Sequence, residues 1–184
     1  IKWSVTGLRN IKSNKTPYFF TSNHASALDI PLAFAGIPNW LVSVAKIELK
    51  SVLILGWVMS TGGHIFVDRK NREKAYKSLE DAKKSLKKSP RSVLLFPEGT
   101  RTENGNLLKI KTGGINMAIE MGIPIVPVAC KGTFEMLKNN AKSVGDGVLE
   151  LRIGEPIMTG NDKKVNKHEI AILIKEKIEN LLNY

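Results

Sequence analysis

The chain has 184 residues, 42% hydrophobic and 24% charged, a composition that can bury a substantial core in one domain and excludes intrinsic disorder. Lys and Arg number 28 against 17 Asp and Glu, and the resulting +11 charge favours a polyanionic partner: nucleic acid, anionic lipid or an acidic carrier. The single cysteine, Cys130, excludes an internal disulfide and fits a reducing compartment.

The first residue, Ile1, is not an initiator Met, and strand-like sequence follows almost at once; a longer parent with an N-terminal membrane-anchoring segment is expected. Tyr18 to Ser22 reads as a strand and Ala25 to Ala35 as a helix. Leu41 to Ala45 reads as a strand and Ile47 to Ser60 as helical. His64 to Val67 is a brief strand, Asn71 to Ser89 the clearest helix, and Ser92 to Phe96 a buried strand. Gly114 to Met121 is a helix, and Ile125 to Cys130 and Val148 to Ile153 are strands. A last helix, from about Lys167 to Leu182, repeats apolar residues at three- and four-residue spacing. Strand–helix alternation with β-branched strands predicts an α/β domain over residues 1–184, with helices on both faces of a mixed, mostly parallel sheet. No apolar run approaches the ~18 residues of a spanning helix, and the longest, Val52 to Met59, is far too short.

Charge is concentrated. Between Lys70 and Arg91 stand nine Lys or Arg and three Asp or Glu, a net of +6. On a helical wheel Ala75, Leu79, Ala82 and Leu86 form one face, with Lys74, Lys77, Lys84 and Lys88 roughly opposite. Such a helix docks on a core and leaves a solvated basic face, which also suits an anionic lipid surface or an acyl carrier protein.

Three strand ends carry polar groups suited to chemistry. Asn23-His24-Ala25-Ser26-Ala27-Leu28-Asp29 follows the first strand, where sites of open α/β sheets gather. A carboxylate on the Nδ1–H of His24 would fix the tautomer and leave Nε2 free as a base; alone, the pair also reads as ordinary helix capping. Phe96-Pro97-Glu98-Gly99-Thr100-Arg101 ends the buried strand, with a Gly allowing close backbone approach and a guanidinium fork suited to phosphate. By itself it is also an ordinary turn with a surface Arg. Gly63-His64-Ile65-Phe66-Val67-Asp68-Arg69 brings a second Arg to a comparable position.

Together these segments resemble the glycerolipid acyltransferase family, and within it the 1-acyl-glycerol-3-phosphate acyltransferases. The family's His-x-x-x-x-Asp block matches His24 and Asp29, within an Asn-His-x-Ser form that also matches Asn23 and Ser26; Gly-x-Ile-Phe-Val-Asp-Arg matches Gly63 through Arg69, and Phe-Pro-Glu-Gly-Thr-Arg matches Phe96 through Arg101. Val-Pro-Val matches Val126-Pro127-Val128, preceded by Lys111-x-Gly113 and Ile123-Pro124. Order and spacing agree from about Val5 to Glu155, and Ala25 and Ala27 replace commoner polar or aromatic residues.

The resemblance implies His24 as general base and Asp29 as its orienter. It implies Glu98, Gly99, Thr100 and Arg101 as acceptor-binding, with Arg69 beside them. It further implies acyl transfer from an acyl thioester, acyl-CoA or acyl carrier protein, to the free hydroxyl of lysophosphatidate, at the cytoplasmic face of a membrane. Another lysophospholipid acceptor and a silent lipid-binding relative are the alternatives. No covalent acyl-enzyme is needed, so Ser26 is read as structural and Cys130 as a small buried hydrophobe. His64 and His168 need no catalytic part. No metal or resident cofactor is expected, since no Cys/His cluster has ligand spacing. The aromatic residues lie mostly in apolar runs rather than interleaved with basic ones, so nucleic acid is not expected as a partner.

Overall fold

A computed structural model describes residues 1–12, 15–138, 141, 143–160 and 166–183. Seven strands form one sheet: β1 (Lys2–Thr6), β2 (Phe19–Ser22), β3 (Leu41–Lys46), β4 (Ile65–Val67), β5 (Ser92–Leu95), β6 (Ile125–Lys131) and β7 (Val148–Ile153). Six helices accompany them: α1 (Asp29–Gly36), α2 (Leu55–Thr61), α3 (Arg72–Lys88), α4 (Gly113–Met121), α5 (Thr133–Met136) and α6 (Lys167–Asn183). The strand order is β1-β7-β6-β2-β5-β3-β4. From β6 to β4 all neighbours are parallel; β7 runs antiparallel to β6, and β1 parallel to β7. The sheet is thus mixed and mostly parallel.

Strand side chains alternate between two cores, as the pleat requires. Phe19, Val42, Val93 and Ile125 face one core with Ala82 and Leu86 of α3, Ile115 of α4, and Ile174 and Ile178 of α6. Phe20, Leu41, Leu94 and Val126 face the other with Leu32 and Ala33 of α1 and Met136 of α5. Helices therefore cover both faces, one with three helices and the other mainly with α1. The apolar stripe of α3 enters the first core, Ala75 and Leu79 packing at its margin, while Lys74, Lys77, Lys84 and Lys88 stay exposed. Asn71 caps this helix by accepting from the Lys74 N–H at 3.0 Å.

Three expectations change. The helix expected from Ala25 begins only at Asp29, because residues 25 and 26 turn their N–H groups onto that residue's carboxylate. The helix expected over Ile47 to Ser60 is broken into a 3-10 turn, Ile47–Ser51, and α2. Between them Ile54 has φ +65°, which no helix tolerates, and the Leu55 N–H bonds back to the Leu53 carbonyl at 2.7 Å. The strand-like start is β1, and two elements outside the expected set, a 3-10 turn at Leu8–Asn10 and α5, complete the order. No helix among the described residues is long and apolar enough to cross a membrane.

Ile174 is fully buried and Leu53 is 91% exposed. Ile174→Ala should lower the unfolding free energy by about 2–5 kcal/mol in urea titration, and Leu53→Ala should stay within about 0.5 kcal/mol of the parent.

Candidate active site

The site is built at the carboxyl edge of the two central strands. At the end of β2 the Asn23 side chain imitates a ladder pair. Its Nδ2 donates to the Cys130 carbonyl at 3.0 Å, and its Oδ1 accepts from the Cys130 N–H at 2.8 Å. That clasp extends the β2–β6 pairing by one residue and delivers His24 just beyond the sheet.

Asp29, the first residue of α1, is fully buried. Its Oδ2 accepts from the Ala25 N–H at 2.7 Å and the Ser26 N–H at 2.8 Å, and lies 2.9 Å from His24 Nδ1. An acceptor-only carboxylate selects the tautomer with the proton on Nδ1. Nε2 is then the unprotonated nitrogen, and it makes no hydrogen bond with the described residues. Ser26 donates its hydroxyl to the Leu137 carbonyl at 2.7 Å and is fully buried, a tether rather than a nucleophile.

The loop after β5 is stitched to the same histidine. The rings of Phe96 and His24 stack with centroids 4.1 Å apart and planes 22° apart. Glu98 Oε1 accepts from the His24 N–H at 2.6 Å, and the Thr102 N–H donates to the His24 carbonyl at 2.9 Å. Residues 98 and 102 thus clip both backbone groups of His24, which brings the loop that carries Arg101 to this histidine.

Glu98 Oε2 accepts from the Leu108 N–H at 2.7 Å. Both oxygens of this buried carboxylate are engaged with backbone, so in this arrangement Glu98 shapes the loop and does not face a ligand. Burial pushes its carboxyl above the usual range, against the lowering effect of the Leu108 and His24 N–H groups.

Gly99 has φ +76°, and a Cβ there would lie 2.7 Å from Lys111 Nζ, so the turn admits no larger residue without displacing that lysine. Arg69, beyond β4, donates from its guanidinium to the Gly99 carbonyl. Thr100 and Arg101 are exposed, and the Arg101 guanidinium has no hydrogen bond or ion pair with the described residues.

Other candidates fall elsewhere. A cavity of about 410 Å³ opens on the side of Asn23 and Ala25, bordered by Leu107, Gly132, Phe134 and Leu182; His24, Arg69 and Arg101 are not part of its wall. His64 Nδ1 accepts from the Ser43 N–H at 3.0 Å, with Ser43 Oγ at 2.8 Å, and burial followed by the charge of Arg91 lowers its pKa. His168 lies in the first turn of α6, far along the chain from these loops. Cys130 is buried, and its thiol is driven far above the usual range, first by burial and then by the Asp29 charge. Among the described residues no group of three His, Cys, Asp or Glu is arranged to hold a metal.

A family model described as Acyltransferase matches residues 2–131. The chain belongs to the acyltransferase family. It is 34% identical over 180 residues to a 1-acyl-sn-glycerol-3-phosphate acyltransferase of Saccharomyces cerevisiae, covering 97% of this chain and 59% of that protein. Identity is 30% to the enzyme of that name from Haemophilus influenzae (87% of this chain, 66% of that one) and 31% to the human alpha form (86% and 56%). The chain spans about half to two thirds of the length of these relatives. Among solved structures, the 1-acyl-sn-glycerophosphate (LPA) acyltransferase PlsC of Thermotoga maritima superposes with a TM-score of 0.79 at 26% identity, covering 98% of this chain and 72% of that one.

In this family member the structure brings His24, Asp29, Glu98, Gly99 and Arg69 into one bonded network, with Arg101 on the same loop. Sequence reading missed the Phe96 ring beneath the imidazole, the Asn23 clasp and Lys111 behind Gly99. Asn23, Phe96 and Lys111 all stood inside matched blocks, which was the available signal; what local pattern could not give was the Asn23 partner, 107 residues away.

Because the Glu98 pKa is raised on folding, the native state binds this proton more tightly than the unfolded chain. The contribution of Glu98 to stability is thus full below the unfolded value of 4.5 and declines as pH rises through the folded value. Thermal melts of wild type and Glu98→Gln should show a stability difference that moves against the wild type as pH is raised through this acidic window.

Proposed function

We propose that this acyltransferase-family chain moves an acyl group from a thioester, acyl-CoA or acyl carrier protein, to the free hydroxyl of 1-acyl-glycerol-3-phosphate. The product is phosphatidate, and the reaction runs at the cytoplasmic face of a membrane. The observation that carries the reading is the imidazole of His24, held from behind by buried Asp29 with Nε2 unengaged, on the loop that also clips to the Glu98–Thr102 turn.

In the proposed mechanism Nε2 takes the hydroxyl proton as the oxygen attacks the thioester carbonyl. Asp29 stabilises the imidazolium that forms. The tetrahedral intermediate collapses by breaking the C–S bond, and the departing thiolate takes the proton back from His24. No acyl-enzyme is required.

Arg101, exposed and without a partner among the described residues, and Arg69 beside Gly99 are the cations suited to the acceptor phosphate. Gly99 and Thr100 lie between them and contribute backbone and hydroxyl groups. Glu98 acts as a positioning residue that fixes the His24 backbone. The names of the relatives in yeast, bacteria and animals support the acceptor assignment.

The chain should be assayed with lysophosphatidate against each donor, with glycerol-3-phosphate and other lysophospholipids in parallel. Phosphatidate formation is expected; transfer only to a different lysophospholipid would replace the acceptor while keeping the chemistry. His24→Ala should lower kcat/KM by about 10²–10⁴-fold with the melting temperature retained. Arg101→Ala should raise the acceptor KM by about tenfold with kcat little changed, the signature of a lost charge-assisted contact.

A further inference from the structure

After β3 the chain runs without a charged residue from Ser51 to Val67. In a folded domain such a stretch ordinarily supplies core, yet α2 buries only Gly56. Neither core contains a residue from Val52 to Val58. Instead Leu53, Ile54 and Trp57 are 91%, 78% and 70% exposed, and Val52, Leu55 and Val58 are about half exposed. Contiguous exposure of this kind marks a contact surface rather than scattered surface hydrophobes.

The backbone is bent to produce it. Ile54, β-branched, sits at φ +65° and ψ −58° at the centre of a tight turn closed by the Leu55 N–H and the Leu53 carbonyl. A Gly would fit that conformation without strain. The turn drives two aliphatic side chains away from the domain.

Its location is fixed by the strands. Lys46, the last residue of β3, pairs with Val67 of β4, so both strands end at the edge where Arg69 reaches Gly99. A Cβ on Gly56 would lie 2.2 Å from the Lys50 carbonyl, so α2 is seated directly on the turn that follows β3. Around this uncharged run, residues 46–72 carry Lys46, Lys50, Arg69, Lys70 and Arg72 against Glu48 and Asp68, a net of +3.

We propose that Val52–Val58 is a membrane-inserting ridge that sinks into the interfacial layer of an anionic bilayer, with the surrounding cations on the headgroups. Apolar residues in a cationic rim are what such an interface binds, and an exposed indole favours that depth. A second protein surface would have to supply an apolar groove and acidic rim together; an anionic bilayer supplies both everywhere. The proposal rests on the reading of the acceptor as a lipid only for its purpose: a ridge beside Arg69 would bring the site loop to the plane where a lysolipid resides.

The test uses this chain with vesicles of phosphatidylcholine and phosphatidylglycerol, some carrying brominated acyl chains. Trp3→Phe with Trp40→Phe leaves Trp57 as the only indole, since the chain has three Trp. Trp57 emission should shift to the blue and be quenched by the bromines. Leu53→Ser with Ile54→Gly should weaken vesicle binding by about tenfold or more while the melting temperature holds or rises, because Gly relieves the turn. Unquenched Trp57, or a double variant that binds vesicles like its parent, overturns the proposal. So does concentration-dependent dimerisation that the same substitutions abolish, which would assign the ridge to a second copy. Binding is read without turnover, so a chain that binds vesicles but transfers no acyl group refutes the enzymatic reading alone.

Discussion

One buried carboxylate oxygen organises the carboxyl edge of this sheet. Asp29 Oδ2 gathers two backbone N–H groups and the His24 ring in a place without solvent contact. An ionised carboxylate left unpaired in such a setting would cost several kcal/mol, so residues 24–29 have little freedom to adopt another course. The imidazole inherits its orientation from that electrostatic demand. The position of Asp29 in the first turn of α1 adds the favourable end of the helix dipole.

The second constraint is topological. β2 lies between β5 and β6, all three parallel, so their carboxyl ends open side by side. β6 supplies the backbone that Asn23 grips, and β5 supplies the Phe96 ring and the turn that clips His24. The catalytic candidates therefore come from the middle of the sheet, where both faces are packed. β4, at the far edge, contributes only the longer reach of Arg69.

Much of this was legible in the sequence, for reasons that differ by element. β5 and β6 are mostly apolar runs because both faces of a central strand are buried, and α3 has a clean apolar stripe because one side faces water. The edge strand β1 was legible only as a strand-like start without bounds: four of its five residues are exposed, so burial imposed little pattern on them. The break at Ile54 was invisible because residues 47–60 satisfy a helical apolar pattern well, and no periodicity reports a backbone of the opposite hand. The His24–Asp29 pairing was readable since five residues can close on themselves. The Glu98–His24 bond spans 74 residues and depends on strand order, which local pattern does not encode.

Glu98 joins three stretches of chain that are distant in synthesis. Its carboxylate meets residue 24 on one side and residue 108 on the other, and it follows a strand, β5, that pairs with β2. A nascent polypeptide that has emerged only through α3 already carries the imidazole and its aspartate, yet has nothing to grip the histidine backbone. The remaining partners come later still: the loop after β5 brings Glu98 and Phe96, β6 brings the Cys130 backbone that Asn23 grips, and Leu137 takes the Ser26 hydroxyl. The neighbourhood of one imidazole is thus shared among four separate stretches of sequence, and a truncation before residue 137 would strip it of at least one of them.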